Sequence, residues 1–454
     1  MTVTGLEFGA SLPVPRLAEM LAEQLLTISP KTGFPVVGQP LIIPHDEYRS
    51  LLSATSRLLR LQLTAIRNIA PDAQGRLAAL KADPAAFSRF TADEDFELRH
   101  AADMARADVI IGATGFQFIE FNVGGGFGGM VEFEALRQVW QRVAIASGEP
   151  QLTGDSPYAA FARLIRQTAS EHGARPAALV LAYFEADWTA EELGGQCDFL
   201  REHQIPTELA DVGSMSVAEI TASSPYPIGI VQLSDREAVD AGWDLSRLQA
   251  LQRAGLTAIP SQSARLIDSK KVLALLSEGL PWMNEADHAF VQRFVPWTRI
   301  VRNCDTTWET RVYSLQDLLL AEQSRFVIKG SAGLAGNEVI FGANCSPQEW
   351  SRLVGTAVES EYYVAQEVVD SAPVKVRVIH DEYGTHDYRT VRMVVSPFCI
   401  GGVPSGCYVR MAQAPNTGLV TRDTGAFIGC LLGAPDPTSG SARGLVVAPT
   451  WTSV

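Results

Sequence analysis

From Arg16 to about Leu63 apolar residues recur at three- and four-residue spacing, most regularly as the leucines of Leu51–Leu63. This predicts two helices joined by a Pro/Gly-rich connection at Pro30–Pro44. A third helical stretch, roughly Asp93–Ala105, leads into Asp108–Ile111, a turn at Gly112–Gly115 and a second strand Gln117–Asn122, a hairpin pattern. Gly124–Gly129 then opens directly onto a helix from Met130 to about Ala146. Between about Pro176 and Asp240 the period changes. A buried-strand run (Ala178–Phe184), a helix (Thr189–His203) and two strands (Thr207–Ala210, Ile228–Leu233) follow one another in a βαβ rhythm, which predicts a small inserted parallel-sheet domain. From about Ser261 come a helix (Ser269–Glu278), the strand Phe326–Lys329 with a glycine-rich loop, the strand Tyr362–Val369 and β-rich sequence through Arg410. There is no internal repeat, and the low-complexity sequence is confined to Gly433–Gly444.

The pattern is that of an α+β protein with an inserted α/β unit. A chain of 454 residues with 46% hydrophobic content is ample for buried cores and excludes general disorder. Three segments are expected. Residues 1–155 form a helical scaffold ending in the hairpin, 156–262 the inserted substrate domain, and 263–454 the nucleotide-binding region with its lid. With 37 basic against 51 acidic residues, the net charge of −14 argues against nucleic acid or an anionic membrane held on a broad basic surface. The six cysteines are scattered without a CxxC pair, so they read as reduced, mostly buried thiols. A signal-peptide pattern is lacking, and no apolar run reaches the ~18 residues of a membrane span. The expected location is the cytoplasm.

The richest chemistry lies in Arg106-Ala-Asp108 and, after eleven intervening residues, Glu120-Phe-Asn122. Residues two apart on a strand share a face, so Arg106 accompanies Asp108 and Glu120 accompanies Asn122. A hairpin centred near Thr114 places Asp108 opposite Glu120. Two opposed carboxylates repel unless a cation lies between them, and an all-oxygen set suits Mg²⁺ or Mn²⁺ rather than zinc.

The run Gly124-Gly-Gly-Phe-Gly-Gly129 contains GxGxxG, but no second strand with a terminal acid follows, so a Rossmann reading fails. Backbone N–H groups at a helix N-terminus remain an anion site, for a substrate carboxylate or a phosphate. Lys329 ends a buried strand just before Gly330, Gly333 and Gly336, a combination able to surround a polyphosphate although no GxxxxGK[ST] is present. Lys270-Lys271 near a helix start points to an anion partner. Gln366-Glu367 tips an apolar strand suited to an adenine slot. Arg410, closing Cys407-Tyr-Val-Arg410, could clamp a carboxylate with both arms of its guanidinium.

In this order, a carboxylate/Asn hairpin first and a lysine with a glycine loop about 200 residues later, the chain resembles the circularly permuted ATP-grasp ligases. It is most similar to eukaryotic-type glutathione synthetase and the synthetase domain of glutathionylspermidine synthetase. Ile119-Glu120-Phe-Asn122 with Phe127-Gly-Gly129 resembles the metal and substrate segment of the former. Asp268-Ser-Lys270-Lys271-Val272 and Ser324-Arg-Phe-Val-Ile-Lys329 resemble its two ATP-lysine segments, and Tyr408-Val-Arg410 its carboxylate-binding strand. Arg106-x-Asp108 with Glu120-x-Asn122 is similar to the metal and catalytic-arginine set of the latter.

The resemblance implies that Asp108, Glu120 and Asn122 hold Mg²⁺ and that Lys270, Lys329, Gly333, Gly336, Gln366 and Glu367 bind ATP. It further implies that Gly126, Gly128, Gly129 and Arg410 bind substrate, while Arg106 stabilises charge during acyl transfer. Two positions depart from the pattern. Gly333 stands where the family carries a glutamate, with Asp108 or Glu338 as its replacement, and Val368 stands where a hinge lysine is expected. The amidase half of the bifunctional glutathionylspermidine enzymes is missing.

The implied activity is ATP-dependent amide formation between a small carboxylate and an amine, through an acyl phosphate, on amino acids or small peptides. Two other classes compete: an aminoacyl transferase working on a carrier protein or peptide, and a nucleotide-binding protein without catalysis. A homodimer is left open.

Overall fold

The longest strand, His386–Ile400, organises the molecule in the computed structural model. The structure describes every residue except 1–2, 6, 29–34, 88, 114, 185–186, 223–225, 234–237, 239–240, 334–337, 415–419, 421–424 and 436–454. Along one edge, His386–Ile400 pairs antiparallel with Val403–Gln413. Along the other it meets Val374–Ile379 with its first half and Met104–Gly112 with its second. Phe427–Gly433 extends the sheet beyond Val403–Gln413, and Leu41–Ile43 joins it in parallel. Val36–Val37 and the hairpin strand Gly115–Val123 bring the sheet to eight strands. The sheet therefore draws on both the 1–155 and the 263–454 segments.

Composition explains how this strand is covered. Its start, His386-Asp-Tyr-Arg, is charged and mostly exposed, whereas Met393–Ile400 is continuously buried. Alternation sends Phe398 and Ile400 toward Phe133, Trp140 and Phe161 of the helices Met130–Ser147 and Pro157–Glu171. Val395 and Cys399 face the opposite core with Leu51 and Leu58 of the helix His45–Ile69. The register shifts between Pro397 and Phe398, where proline has no N–H to give the ladder.

The inserted parallel sheet is present, in the order Thr207–Asp211, Ala178–Ala182, Ile228–Val231, Thr257–Ile259. Its last strand was not foreseen. A third sheet orders Val339–Phe341, Phe326–Gly330, Tyr363–Glu367 and Thr298–Ile300, all antiparallel, and Phe326 and Ile328 pack on Trp350 and Val354 of the helix Pro347–Ser360.

Some expected boundaries move. The helix sought over Asp93–Ala105 is only Glu94–Arg99, capped by Asp93, because Met104 already belongs to a nine-residue strand buried throughout. The Pro30–Pro44 connection carries two strands too short to show a period, and Tyr362–Val369 contracts to Tyr363–Glu367. Ala73–Leu80 is an additional helix. All six cysteines are free thiols. Most of Gly433–Gly444 lies outside the described residues. Among the described residues, no helix is long and apolar enough to cross a membrane.

Candidate active-site cleft

In the hairpin, Asp108 pairs with Glu120 and Arg106 with Asn122, the register the polar spacing calls for. The pairing then slips: Val109 meets Phe118, which leaves Ile119 without a partner in a bulge. Its freed carbonyl accepts hydrogen bonds from Lys329 Nζ at 3.2 Å and Gln366 Nε2 at 3.1 Å. The bulge thus ties the hairpin to the sheet that carries the lysine.

Lys329 is 5% exposed and also donates to Gln366 Oε1 at 2.8 Å. Gln366 donates in turn to Thr298 Oγ1 at 3.1 Å, so its amide braces the floor of the site. Burial lowers the Lys329 ammonium to a pKa of about 8, against the pull of Glu120 and with further lowering from Lys270. Lys270 opens the helix Lys270–Glu278, and its Nζ donates to the Gly333 carbonyl at 3.1 Å while lying 3.8 Å from Glu120 Oε2. Its neighbour Lys271 turns away and donates to the Leu80 carbonyl at 2.7 Å. Asp268 accepts from Val123 N at 2.9 Å, fixing the start of this helix on the hairpin.

Asp108, the cross-strand partner of Glu120, is surrounded by donors. Arg410 Nη2 lies 2.6 Å from Oδ2, Ser396 Oγ donates to Oδ1 at 2.9 Å, and Arg106 Nε stands 3.4 Å from Oδ1. Burial alone would raise the Asp108 carboxyl, but Arg410 and Arg106 outweigh it and hold the group well below the usual carboxylate range. Burial lowers Arg106, only partly offset by Asp108, whereas for Arg410 the same carboxylate overcomes burial and leaves it raised. Arg106 Nη1 donates to the Gly128 carbonyl at 3.0 Å, and its guanidinium lies 5.8 Å from the Phe127 ring centre.

These residues line a cleft of roughly 660 Å³. Arg106, Asp108, Glu120, Asn122, Gly126, Gly128, Lys270, Lys329, Gly333, Gln366, Glu367 and Arg410 all border it. Gly129 does not: at φ +97° it packs beneath Tyr408, where a Cβ would stand 2.5 Å from the ring, and it starts the helix Met130–Ser147. Gly336 lies outside the described residues, as do 334–335 of the Gly330–Gly336 loop expected to act as a lid. Glu338, one of the two residues offered in place of the missing loop glutamate, sits over Gly330 and Gly333 and accepts from the Tyr362 hydroxyl at 2.7 Å, without itself lining the cleft. Glu367 is held by Arg325 at 2.6 Å.

Sequence reasoning missed Ser396 and Thr298. Ser396 could have been noticed as the lone hydroxyl in the apolar run Met393–Phe398; Thr298 carries no comparable signal.

The oxygen set partly suits a divalent cation. Glu120 and Asn122 border the cleft half-buried, and Asn122 uses its Nδ2 on the Arg106 carbonyl at 3.4 Å, which leaves the amide oxygen for a ligand. Both oxygens of Asp108 are already engaged by Ser396 and the two arginines. Two protein oxygens completed by phosphate oxygens is a usual arrangement for Mg²⁺. Among the described residues no three His, Cys, Asp or Glu side chains cluster as a metal site.

No protein-family model matches the chain, and no curated protein matches it by sequence. A solved structure does: a glutathione synthetase-like effector from Globodera pallida, in apo form, superposes with a TM-score of 0.57 at 12% identity, covering 94% of this chain and 97% of that one. The fold is ATP-grasp-like. Looser likenesses are a Methylobacillus flagellatus protein described as a gamma-glutamylcysteine synthetase (TM-score 0.41, 10% identity, 82% and 87% coverage) and the ATP-complexed D-alanine–D-alanine ligase of Bacillus anthracis (0.23, 10%, 52% and 84%). Superpositions that loose assign no fold.

Proposed function

We propose that this chain is an ATP-dependent carboxylate–amine ligase, of permuted ATP-grasp organisation, acting on amino acids or small peptides. The observation that carries the reading is convergence. Lys270 and Lys329, from separate elements, reach the same cleft as Glu120, Asn122, Arg106 and Arg410.

In this reading the lysines hold the ATP phosphates. Glu120 and Asn122 would hold Mg²⁺ or Mn²⁺, which when bound offsets phosphate charge as the terminal phosphoryl group is transferred. The substrate carboxylate displaces ADP to give an acyl phosphate; the amine nitrogen then takes the acyl carbon and phosphate departs. Arg106, held over the Gly128 carbonyl, stabilises the oxyanion that develops in this step. Asp108 serves as the counter-ion that aims Arg106 and Arg410.

The test is Mg²⁺-dependent ADP release across a panel of amino acids, dipeptides and amines, with products followed by mass spectrometry. A condensation product together with ADP and phosphate is the expected result. Mg·ATP binding without ADP release would favour a carrier-protein acceptor or a non-catalytic role, and failure to bind Mg·ATP would overturn the reading.

A further inference from the structure

Arg49, Ser53, Ser56 and Arg60 recur at i, i+4, i+7 and i+11 in the helix His45–Ile69, and so lie on one of its faces. The N-cap Ser156 with Ala159, Ala160 and Arg163, at i, i+3, i+4 and i+7, likewise share one face at the start of the helix Pro157–Glu171. The two faces border one hollow of about 650 Å³, which Val403, Pro404 and Ser405 also line. It shares no lining residue with the cleft described above.

The hollow is cationic in a chain whose net charge is −14. Asp155, the one acid among its lining residues, is taken by Arg49 at 2.8 Å. Arg60 is fixed in place: its Nη1 donates to Ser56 Oγ at 2.6 Å, and the buried Ser56 donates to the Gly402 carbonyl at 3.0 Å. Three guanidinium groups against one carboxylate leave two positive charges uncompensated. Like charges gathered on facing helices repel, and an anion between them removes that cost.

We propose that this groove is a second anion site, one that takes a phosphate group. At neutral pH a phosphate monoester carries about −1.5 to −2 charges, the magnitude of the local excess. The planar forks of Arg60 and Arg163, carried by two different helices, suit the divergent oxygens of a phosphate. The Ser53 hydroxyl, beside them in the lining, adds a further donor.

The experiment is calorimetric titration of inorganic phosphate and, separately, glycerol 3-phosphate into three proteins: the wild type, Lys329→Met to disable the cleft, and the double variant Arg60→Gln/Arg163→Gln. Lys329→Met should keep the binding, and the double variant should lose at least tenfold in affinity. Tighter binding of the monoester would identify a phosphorylated small molecule, and equal affinities would identify phosphate itself. Absence of binding to the wild type, or wild-type affinity in the double variant, would overturn the proposal. Circular dichroism checks that the double variant is folded; if it is not, Arg163→Gln alone, on an exposed position, answers the same question with the same criteria.

Discussion

Lys329 Nζ reaches across 210 positions of sequence to the carbonyl of Ile119, 3.2 Å away, at the residue that the hairpin's bulge leaves unpaired. The lysine sits at the junction of two sheets, held by a backbone oxygen that a regular ladder would have consumed. Its charge state is therefore coupled to how the two halves of the cleft meet.

Because burial lowers Lys329 to about 8, the free protein should lose affinity for ATP as pH rises through that value. The ammonium is present below pH 8 and neutral above it. Stability should move the other way. The unfolded chain keeps its lysine protonated to about 10.4, so between roughly pH 8 and 10 it binds more protons than the folded one and this group's contribution rises with pH. Titrations of a non-hydrolysable ATP analogue at pH 7 and 9 test the first effect, and Lys329→Met should abolish the difference between them.

Asp108→Asn should destabilise the fold rather than alter the metal requirement. Removing one partner of a buried charge pair costs about 3–5 kcal/mol, and here two guanidinium groups lose their counter-ion at once. Since the Asp108 carboxyl is held below its usual range, its stabilisation is complete above the unfolded value near 3.9 and is lost as pH falls toward the folded value. Urea unfolding at pH 7 and at pH 3 measures both effects: the gap between wild type and variant should be wide at pH 7 and narrower at pH 3. An unchanged urea midpoint at pH 7, with a raised Mg²⁺ requirement, would return Asp108 to the role of metal ligand.

Glu120→Gln should give the opposite pattern. The side chain is half-buried and its nearest cation, Lys270, lies 3.8 Å away, so stability should stay within about 0.5 kcal/mol of wild type. The Mg²⁺ concentration giving half-maximal ADP release should rise at least tenfold, and turnover at saturating Mg²⁺ should fall. Retained turnover with wild-type Mg²⁺ dependence would remove Glu120 from the metal site.

Which of these features could be read from the sequence follows from the range of the interaction. The Asp108/Glu120 register was legible because two polar pairs, each spaced by two, stand within apolar strands. The buried strand ending at Lys329 was legible for the same reason, as an apolar run closed by a charge. The contact of Ser396 with Asp108 spans 288 positions, and no local period carries it. Lys270 and Lys271 are adjacent and chemically alike, yet one enters the cleft and the other caps the Leu80 carbonyl. Only the docking of their helix decides between them. The Ile119 bulge was hidden because one extra residue in a strand leaves the apolar pattern almost unchanged.

Gly129 separates a structural glycine from a ligand-binding one. The sequence places it with Gly126 and Gly128 as a substrate contact, whereas in the fold it is the residue before the helix Met130–Ser147, at φ +97° with the Tyr408 ring against its α-carbon. A side chain there meets both a disfavoured backbone conformation and a ring that lies 1% exposed in the core. Gly129→Ala should therefore cost about 1–3 kcal/mol, read as a lower urea midpoint. At a temperature where the variant is still folded, its KM for either substrate should remain that of the wild type. A wild-type urea midpoint with a raised KM would instead put Gly129 back among the groups that touch substrate.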